Sequence, residues 1–271
     1  LSPDQFSVEE SAALGAMVRA ASVGALVDPD FDPRDSTSPT IRLVLDAVER
    51  PGQEAEESSV TAEWAALLRV YGRPRVETPS GSVVTYRKSR ALELTAWLAF
   101  NRDRRSRSAA RTAIWDIEIS DATFSTVVSD MRRALSSIDP ATGPSDWLPT
   151  TYTDEINLST QLTTDADLLR TAHVDFERAP SVDAELFRLL PLVRDVPFAG
   201  TGWSWADLDG TTTRLVILVV DASISAARFA LEHGRGDLVD VAVTAGMRVM
   251  PGCEELMEIQ HSYLARVSMS R

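Results

Sequence analysis

The sequence has little cysteine and little lysine: Cys253 and Lys88 are the only residues of their kinds among 271. One cysteine excludes an internal disulfide bond and suits a reducing compartment. No apolar run approaches the roughly eighteen residues of a transmembrane helix, and the N-terminus lacks a basic and then apolar secretory signal. We therefore expect a cytoplasmic protein without membrane contact in this segment. Because the chain begins at Leu1 without an initiator methionine, we expect it to belong to a longer protein, which leaves room for an anchor elsewhere.

Motifs of catalysis are also missing from the sequence. There is no glycine-rich phosphate loop of the Walker type and no Gly-x-Ser-x-Gly nucleophile elbow. The three histidines and the cysteine do not have metal-ligand spacing; they are His173, His233, His261 and Cys253. We predict that the protein is not an enzyme and has no catalytic residue, metal or other cofactor.

The net charge of −13 is unfavourable for a nucleic-acid partner, because acidic surface repels a polyanion. The charge is unevenly distributed, however. Residues 1–62 carry 4 basic and 12 acidic side chains, residues 63–164 carry 13 and 12, and residues 165–271 carry 10 and 16. Residues 87–111 hold eight basic side chains against Glu93 and Asp103. This local excess is either an ordinary solvated face or the footprint of a phosphate backbone.

The length of the chain favours two or three compact units. In the first 62 residues, an alanine-rich run from Ser11 to Val27 predicts a helix, and the acidic, proline-containing stretches 28–39 and 51–59 predict linkers. We interpret residues 1–62 as an appended segment, partly helical with acidic linkers.

Residues 64–135 change from strand-like to helical patterns. Short β-rich runs at 67–71, 75–77 and 83–86, with a turn at 79–81, predict a small antiparallel sheet. Apolar spacing then predicts three helices, at Ser89–Asn101, Ser108–Asp116 and Asp121–Leu135.

The third helix has two distinct faces. The spacing i, i+3, i+4, i+7, i+11 defines one buried stripe, made of Phe124, Val127, Val128, Met131 and Leu135. The opposite face carries Ala122, Thr126, Ser129 and Arg133, flanked by Ser125, Arg132 and Asp130. Ser, Thr and Arg are residues that a helix in the major groove uses, although most amphipathic helices also turn polar residues outward.

The order of these elements, followed by a candidate hairpin wing at 147–152 and 156–158, is that of a winged helix. Four segments resemble the actinobacterial antibiotic regulatory proteins: KSRALELTAWLAFNRDR at 88–104, SAARTAIWD at 108–116, VVSDMRRAL at 127–135 and TDADLL at 164–169. The resemblance implies an OmpR-type winged helix-turn-helix at 63–164 and a bacterial transcriptional activator domain, an all-α TPR-like helical array, at 165–271. The implied fold is mainly α with a small antiparallel sheet.

The same resemblance implies a DNA-binding site centred on the third helix, which would lie in the major groove of double-stranded DNA. The groove-facing candidates are Thr126, Ser129, Arg132 and Arg133. Ser89 and Arg90, at a helix start, become phosphate contacts, as do Arg105 and Arg107 before the second helix.

The last third of the chain reads as helices. The candidates are Ala184–Arg194, Thr211–His233, Asp237–Met250 and Glu254–Val267. Segment 236–265 resembles a tetratricopeptide-type helix pair. Such arrays bind other proteins, so we expect contacts with RNA polymerase, with another protein or with a second protomer of a homodimer. Trp205 is expected in the core, and Trp203 is left open between core and surface.

Two functional hypotheses follow from the sequence. The first is a transcriptional regulator of the activator type, or the cytoplasmic regulatory part of a longer one. The second is a protein-interaction module whose winged helix no longer reads DNA. Asp130 and the acidic stretch 151–155 favour the second hypothesis, because carboxylates near phosphates are repelled.

Overall fold

The computed structural model describes residues 64–138, 147–149 and 153–269, apart from the side chain of Met269. They belong to a compact unit that spans Thr61–Arg271. The expectations for residues 1–62 lie outside the described residues.

The described part of the chain is mainly helical, with a small sheet, as predicted. Its strands are β1 (Ala66–Arg69), β2 (Arg75–Glu77) and β3 (Leu162–Thr164). Three helices follow β2: α1 (Ser89–Phe100), α2 (Arg107–Ile114) and α3 (Asp121–Leu135). The later helices are α4 (Asp165–Arg178), α5 (Glu185–Leu189), α6 (Ser204–Leu208), α7 (Thr211–Glu232), α8 (Gly236–Val249) and α9 (Glu254–Met269). β3, α4 and α6 were not predicted from the sequence. β3 and α6 are only 3 and 5 residues long.

The sheet has the order β2-β1-β3. β1 and β2 pair antiparallel, with Leu68 opposite Val76, and a turn closed by the Gly81 N–H donating to the Thr78 carbonyl follows β2. β3 pairs with β1 in parallel, with Leu68 opposite Thr164. The sheet is therefore mixed. β1 and β2 pair antiparallel as predicted, and the predicted run 83–86 is not a strand but forms one antiparallel bridge, between Val83 and Glu77.

Helices α1 to α3 pack around a core that includes Trp97, Phe124 and Met131, each at most 1% exposed. Serine side chains begin two of these helices, because a hydroxyl oxygen can accept a hydrogen bond from an otherwise unpaired N–H of the first turn. Ser106 accepts from the N–H of Ala109, and Ser120 accepts from that of Thr123. The predicted bounds of α3 are confirmed at both ends.

The predicted hairpin wing is not a hairpin in its described part. Trp147 and Leu148 are buried in the core and are not in a strand, and residues 150–152 lie outside the described residues. Residues 154–156 pair instead with the loop before α2. The Arg107 N–H donates to the Asp154 carbonyl, and the Ile156 N–H donates to the Arg105 carbonyl.

The helical array is formed by α4 to α9. The helix predicted at 184–194 is shorter, because the chain continues from α5 into a 3-10 turn at Leu190–Leu192 that contains Pro191. Helices α7, α8 and α9 approach closely at Gly246, where an added Cβ would collide with Leu256 and lie 2.9 Å from the Cβ of Ser223. Trp205 is 2% exposed, as expected for the core, and the half-buried Trp203 stacks on it at 6.2 Å.

The array packs against the winged helix near the end of β1 and against α1. The carboxylate of Asp165, the first residue of α4, accepts hydrogen bonds from the N–H groups of Val70 and Tyr71 just after β1. Phe198, in the loop before α6, contacts Phe100 of α1 edge to face at 5.9 Å. These contacts position the helical array directly against the first strand and helix of the winged helix.

Candidate nucleic-acid interface

The outward face of α3 is a continuous exposed stripe, which we define as Ala122, Ser125, Thr126, Ser129 and Arg133. All five predicted inward residues of this helix are at most 5% exposed. The helix is held on the core by its apolar side, and the exposed stripe is available to a partner.

Asp130 does not flank the exposed stripe, which corrects the sequence analysis. Its side chain is only 4% exposed. One carboxylate oxygen accepts a hydrogen bond from the main-chain N–H of Lys88 at 2.9 Å, and the other lies 3.2 Å from Nη1 of Arg133. The segment before α1 therefore covers Asp130, and its negative charge is compensated inside the fold.

Of the two arginines predicted to face the groove, Arg133 is the exposed one, with a side chain 56% exposed. Its ion pair with the buried Asp130 anchors one edge of the guanidinium at the margin of the exposed stripe. Arg132 is half-buried, and its Nε and Nη2 both donate to the carbonyl of Leu148 at 3.2 Å. These hydrogen bonds link α3 to residues 147–149.

At the start of α1, Ser89 is exposed whereas Arg90 is engaged within the fold. Nη1 of Arg90 lies 2.6 Å from the buried carboxylate of Glu93 and 3.0 Å from the carbonyl of Ile114. Its guanidinium also lies over the ring of Trp115 at 5.8 Å. Burial raises the pKa of Glu93, and the Arg90 guanidinium opposes that shift. Ser89 remains open to a phosphate, and Arg90 serves to hold the end of α2 against α1.

Arg107 begins α2 and reaches across to α3. Its Nη2 donates to Oγ of Ser125 at 3.2 Å, and its guanidinium lies 5.1 Å from the ring of Phe124. Nearby, the Asp154 carboxylate accepts from the N–H and the hydroxyl of Ser108. Asp154 thus compensates the positive end of α2, and Arg107 places a cation beside the N-terminal half of the exposed stripe.

Exposed cations lie beside α3 and in the loop before α2. Lys88 lies beside α3 because its N–H is bonded to Asp130, and Arg87 precedes it. Arg104 and Arg105 are exposed in the loop before α2, where Arg105 lies 3.9 Å from Glu155. Sequence reasoning did not name Arg87, Lys88 or Arg104 as site residues, although the basic excess at 87–111 was the signal for them. Arg102, in the same run, donates to the carbonyl of Leu162 at 2.7 Å and is structural.

The described residues show neither a metal-binding cluster nor a membrane-spanning helix. Within them, no group of three or more His, Cys, Asp or Glu side chains is arranged to hold a metal ion. None of the described helices combines the length and the apolar character needed to cross a membrane.

Comparison with known proteins identifies a structural likeness and no sequence family. No family model matches the chain, and no curated protein sequence matches it. Among solved structures, the chain is similar to EmbR of Mycobacterium tuberculosis in complex with a low-affinity phosphopeptide, with a TM-score of 0.56 and 21% identity. The match covers 76% of this chain and 56% of the EmbR chain. This likeness supports the fold expected from the motifs, a winged helix followed by a helical array.

Proposed function

We propose that this chain is a DNA-binding transcriptional regulator of the activator type, or the regulatory part of a longer one, which inserts α3 into the major groove. The observation that carries the proposal is the exposed stripe of α3. In a protein with a net charge of −13, it presents a methyl group, hydroxyls and one arginine, while the Asp130 carboxylate is buried and the exposed carboxylate of Asp121, in the first turn of α3, is paired with Arg111.

The composition of the exposed stripe suits base edges. Arginine can donate two hydrogen bonds to the O6 and N7 atoms of guanine, and hydroxyls can meet either donors or acceptors. Arg133 is anchored by Asp130 on one side, which reduces the freedom that its side chain loses on binding. The absence of a large apolar side chain from these five positions makes the stripe a poor protein-docking face.

Phosphate contacts are proposed for the exposed cations around α3. Lys88 and Arg87 lie on one side, and Arg104 and Arg105 precede α2. Ser89, at the first turn of α1, offers a hydroxyl and a helix N-terminus to a further phosphate. Contacts of this kind fix the orientation of the protein on the duplex and carry no sequence information.

The helical array is proposed to bind RNA polymerase or a second protomer. Its last helix, α9, exposes Leu264 and Val267, which are 53% and 37% exposed. Helical repeats generally bury such faces against a neighbour.

The structure weakens the alternative of an interaction module without DNA reading. That hypothesis depended on Asp130 and on the acidic stretch 151–155. Asp130 is buried, and the Asp154 carboxylate is bonded to the start of α2. Of the other charges in that stretch, the exposed Glu155 lies 3.9 Å from Arg105.

The proposal is tested by fluorescence anisotropy with genomic DNA fragments over a range of salt concentrations. Contacts with about four phosphates predict a slope of about −3.6 for log affinity against log salt. Absence of binding to every fragment at low salt would overturn the proposal.

A charge placed on the exposed stripe tests the docking surface itself. Ser129→Glu is expected to reduce affinity about tenfold or more, since the new carboxylate would lie among phosphates and base acceptors. Thr213→Glu, at an exposed position of α7, adds the same charge to the array and is expected to leave affinity within about twofold of the parent. Equal affinity of both variants and the parent would exclude this face of α3 as the docking surface.

A further inference from the structure

We propose that the N-terminal half of the exposed stripe recognises the 5-methyl group of a thymine through the methyl groups of Ala122 and Thr126. This inference rests on the proposed DNA binding and names the base that these two positions select.

A hydrogen bond within α3 orients the side chain of Thr126. Its hydroxyl donates to the main-chain carbonyl of Ala122, one turn earlier, at 2.8 Å. Because the hydroxyl is turned back along the helix, the Cγ2 methyl is the group that this exposed side chain presents to a partner. Residues four apart lie one above the other on a helix, so this methyl group adjoins the exposed Cβ of Ala122. The two methyl groups form a small apolar spot.

The other hydroxyls near the start of α3 have hydrogen-bond partners within the protein. Oγ of Ser125 accepts a hydrogen bond from Nη2 of Arg107. The hydroxyls of Ser120 and Thr123 are 2.9 Å apart and bond to each other at the cap of the helix. Each of these hydroxyls thus already has one hydrogen-bond partner within the protein, whereas the methyl groups of Ala122 and Thr126 are exposed.

The major groove of DNA offers a methyl group that such an apolar spot can contact. Thymine alone among the four bases carries a methyl group in the major groove, and alanine and the threonine methyl group are its usual apolar contacts. The N-terminal residues of a recognition helix are the ones that reach base edges. Ala122 and Thr126 occupy the first and second turns of α3, where such contacts are made.

The test exchanges thymine for uracil, which differs from thymine only by that methyl group. Affinity is measured by anisotropy on the tightest genomic fragment and on the same fragment with deoxyuridine at every thymine. The parent protein is expected to bind the uracil fragment about fourfold or more weakly, which corresponds to about 0.8 kcal/mol for each buried methyl group.

Thr126→Ser keeps the hydroxyl that bonds Ala122 and removes only the methyl group. It is expected to bind the thymine fragment about fourfold more weakly and to lose most of the discrimination between the two fragments.

Thr112→Ser supplies the matched control. Thr112 is an exposed threonine of α2 whose hydroxyl donates to the carbonyl of Ser108, four residues earlier, as Thr126 does to Ala122. This variant is expected to keep the full preference for thymine. Equal binding of the parent to both fragments would overturn the methyl contact while leaving the regulator proposal intact. A Thr126→Ser variant that discriminates as strongly as the parent would overturn the assignment to Thr126. Absence of binding to either fragment would remove the DNA-binding proposal and this inference with it.

Discussion

At the scale of single residues, Asp130 decides what α3 presents to a partner. Helical spacing places this residue near the exposed stripe, and an exposed carboxylate there would repel phosphate. The segment before α1 instead supplies the Lys88 N–H to one oxygen, and Arg133 approaches the other. One buried acid therefore orients an exposed arginine and holds the cationic segment 87–88 against the helix.

Replacement of Asp130 tests this role. Asp130→Asn keeps an oxygen that can accept from Lys88 but removes the charge that attracts Arg133. We expect the free energy of unfolding to fall by about 1 kcal/mol, because the acceptor of the Lys88 N–H loses its charge and the ion pair with the half-exposed Arg133 is lost. Urea denaturation measures the change. Asp221→Asn is the control, because Asp221 is exposed in the middle of α7. A loss no greater than that of Asp221→Asn would contradict a stabilising role for the buried carboxylate.

At the scale of elements, helix packing in the array depends on the absence of a side chain at Gly246. Glycine is unfavourable inside a helix by about 1 kcal/mol relative to alanine. Here it allows α8 to lie close to Ser223 of α7 and Leu256 of α9.

Gly246→Ala is therefore expected to destabilise the protein although it improves helix propensity. The new methyl group would collide with Leu256 and crowd Ser223, and overpacking of this kind costs about 1–3 kcal/mol. Urea denaturation provides the measurement. Gly202→Ala, at a loop glycine with no heavy atom within 4 Å of the added Cβ, is expected to change stability little. If Gly246→Ala proved more stable than the parent, the close approach of α7, α8 and α9 would be wrong.

At the scale of the whole molecule, Asp165 links the sheet of the winged helix to the array. Its carboxylate is 5% exposed and accepts from the N–H groups that follow β1. Burial raises the pKa of Asp165 from 3.8 to about 7, while the hydrogen bonds from Val70 and Tyr71 oppose the shift. The folded protein consequently holds this proton more tightly than the unfolded chain does.

The pH dependence of stability follows from that difference. A group with a raised pKa in the folded state contributes its full stabilisation below the unfolded pKa, near 4, and loses it as pH rises through about 7. The difference in free energy of unfolding between the parent and Asp165→Asn should therefore be larger at pH 5 than at pH 8, by about 1.4 kcal/mol or more. Urea titrations at several pH values measure this difference, in which the titrations of other groups cancel. A difference that does not change with pH would contradict the raised pKa.

Features that depend on neighbouring residues were predictable from the sequence, whereas features that depend on contacts between distant residues were not. The bounds and inward face of α3 followed from the spacing of apolar residues, which is a local property, and in the structure Ser120 caps its first turn. The hairpin wing failed as a prediction in its described part because Trp147 and Leu148, read as strand residues, are buried side chains of the core. Helix α4 was not predicted, although its motif TDADLL carried part of the resemblance.

The sequence by itself determined the mainly helical fold with a small sheet, the amphipathic helix α3 and the basic segment 87–111, because each is encoded in neighbouring residues. Only the tertiary structure decided which charged side chains of the site are free. Asp130 is bonded to a residue 42 positions away, Arg90 to a carbonyl 24 positions away and Arg132 to a carbonyl 16 positions away. Periodicity describes one helix at a time, so the residues that face outward on a helix become exposed or buried according to what the rest of the chain packs against them.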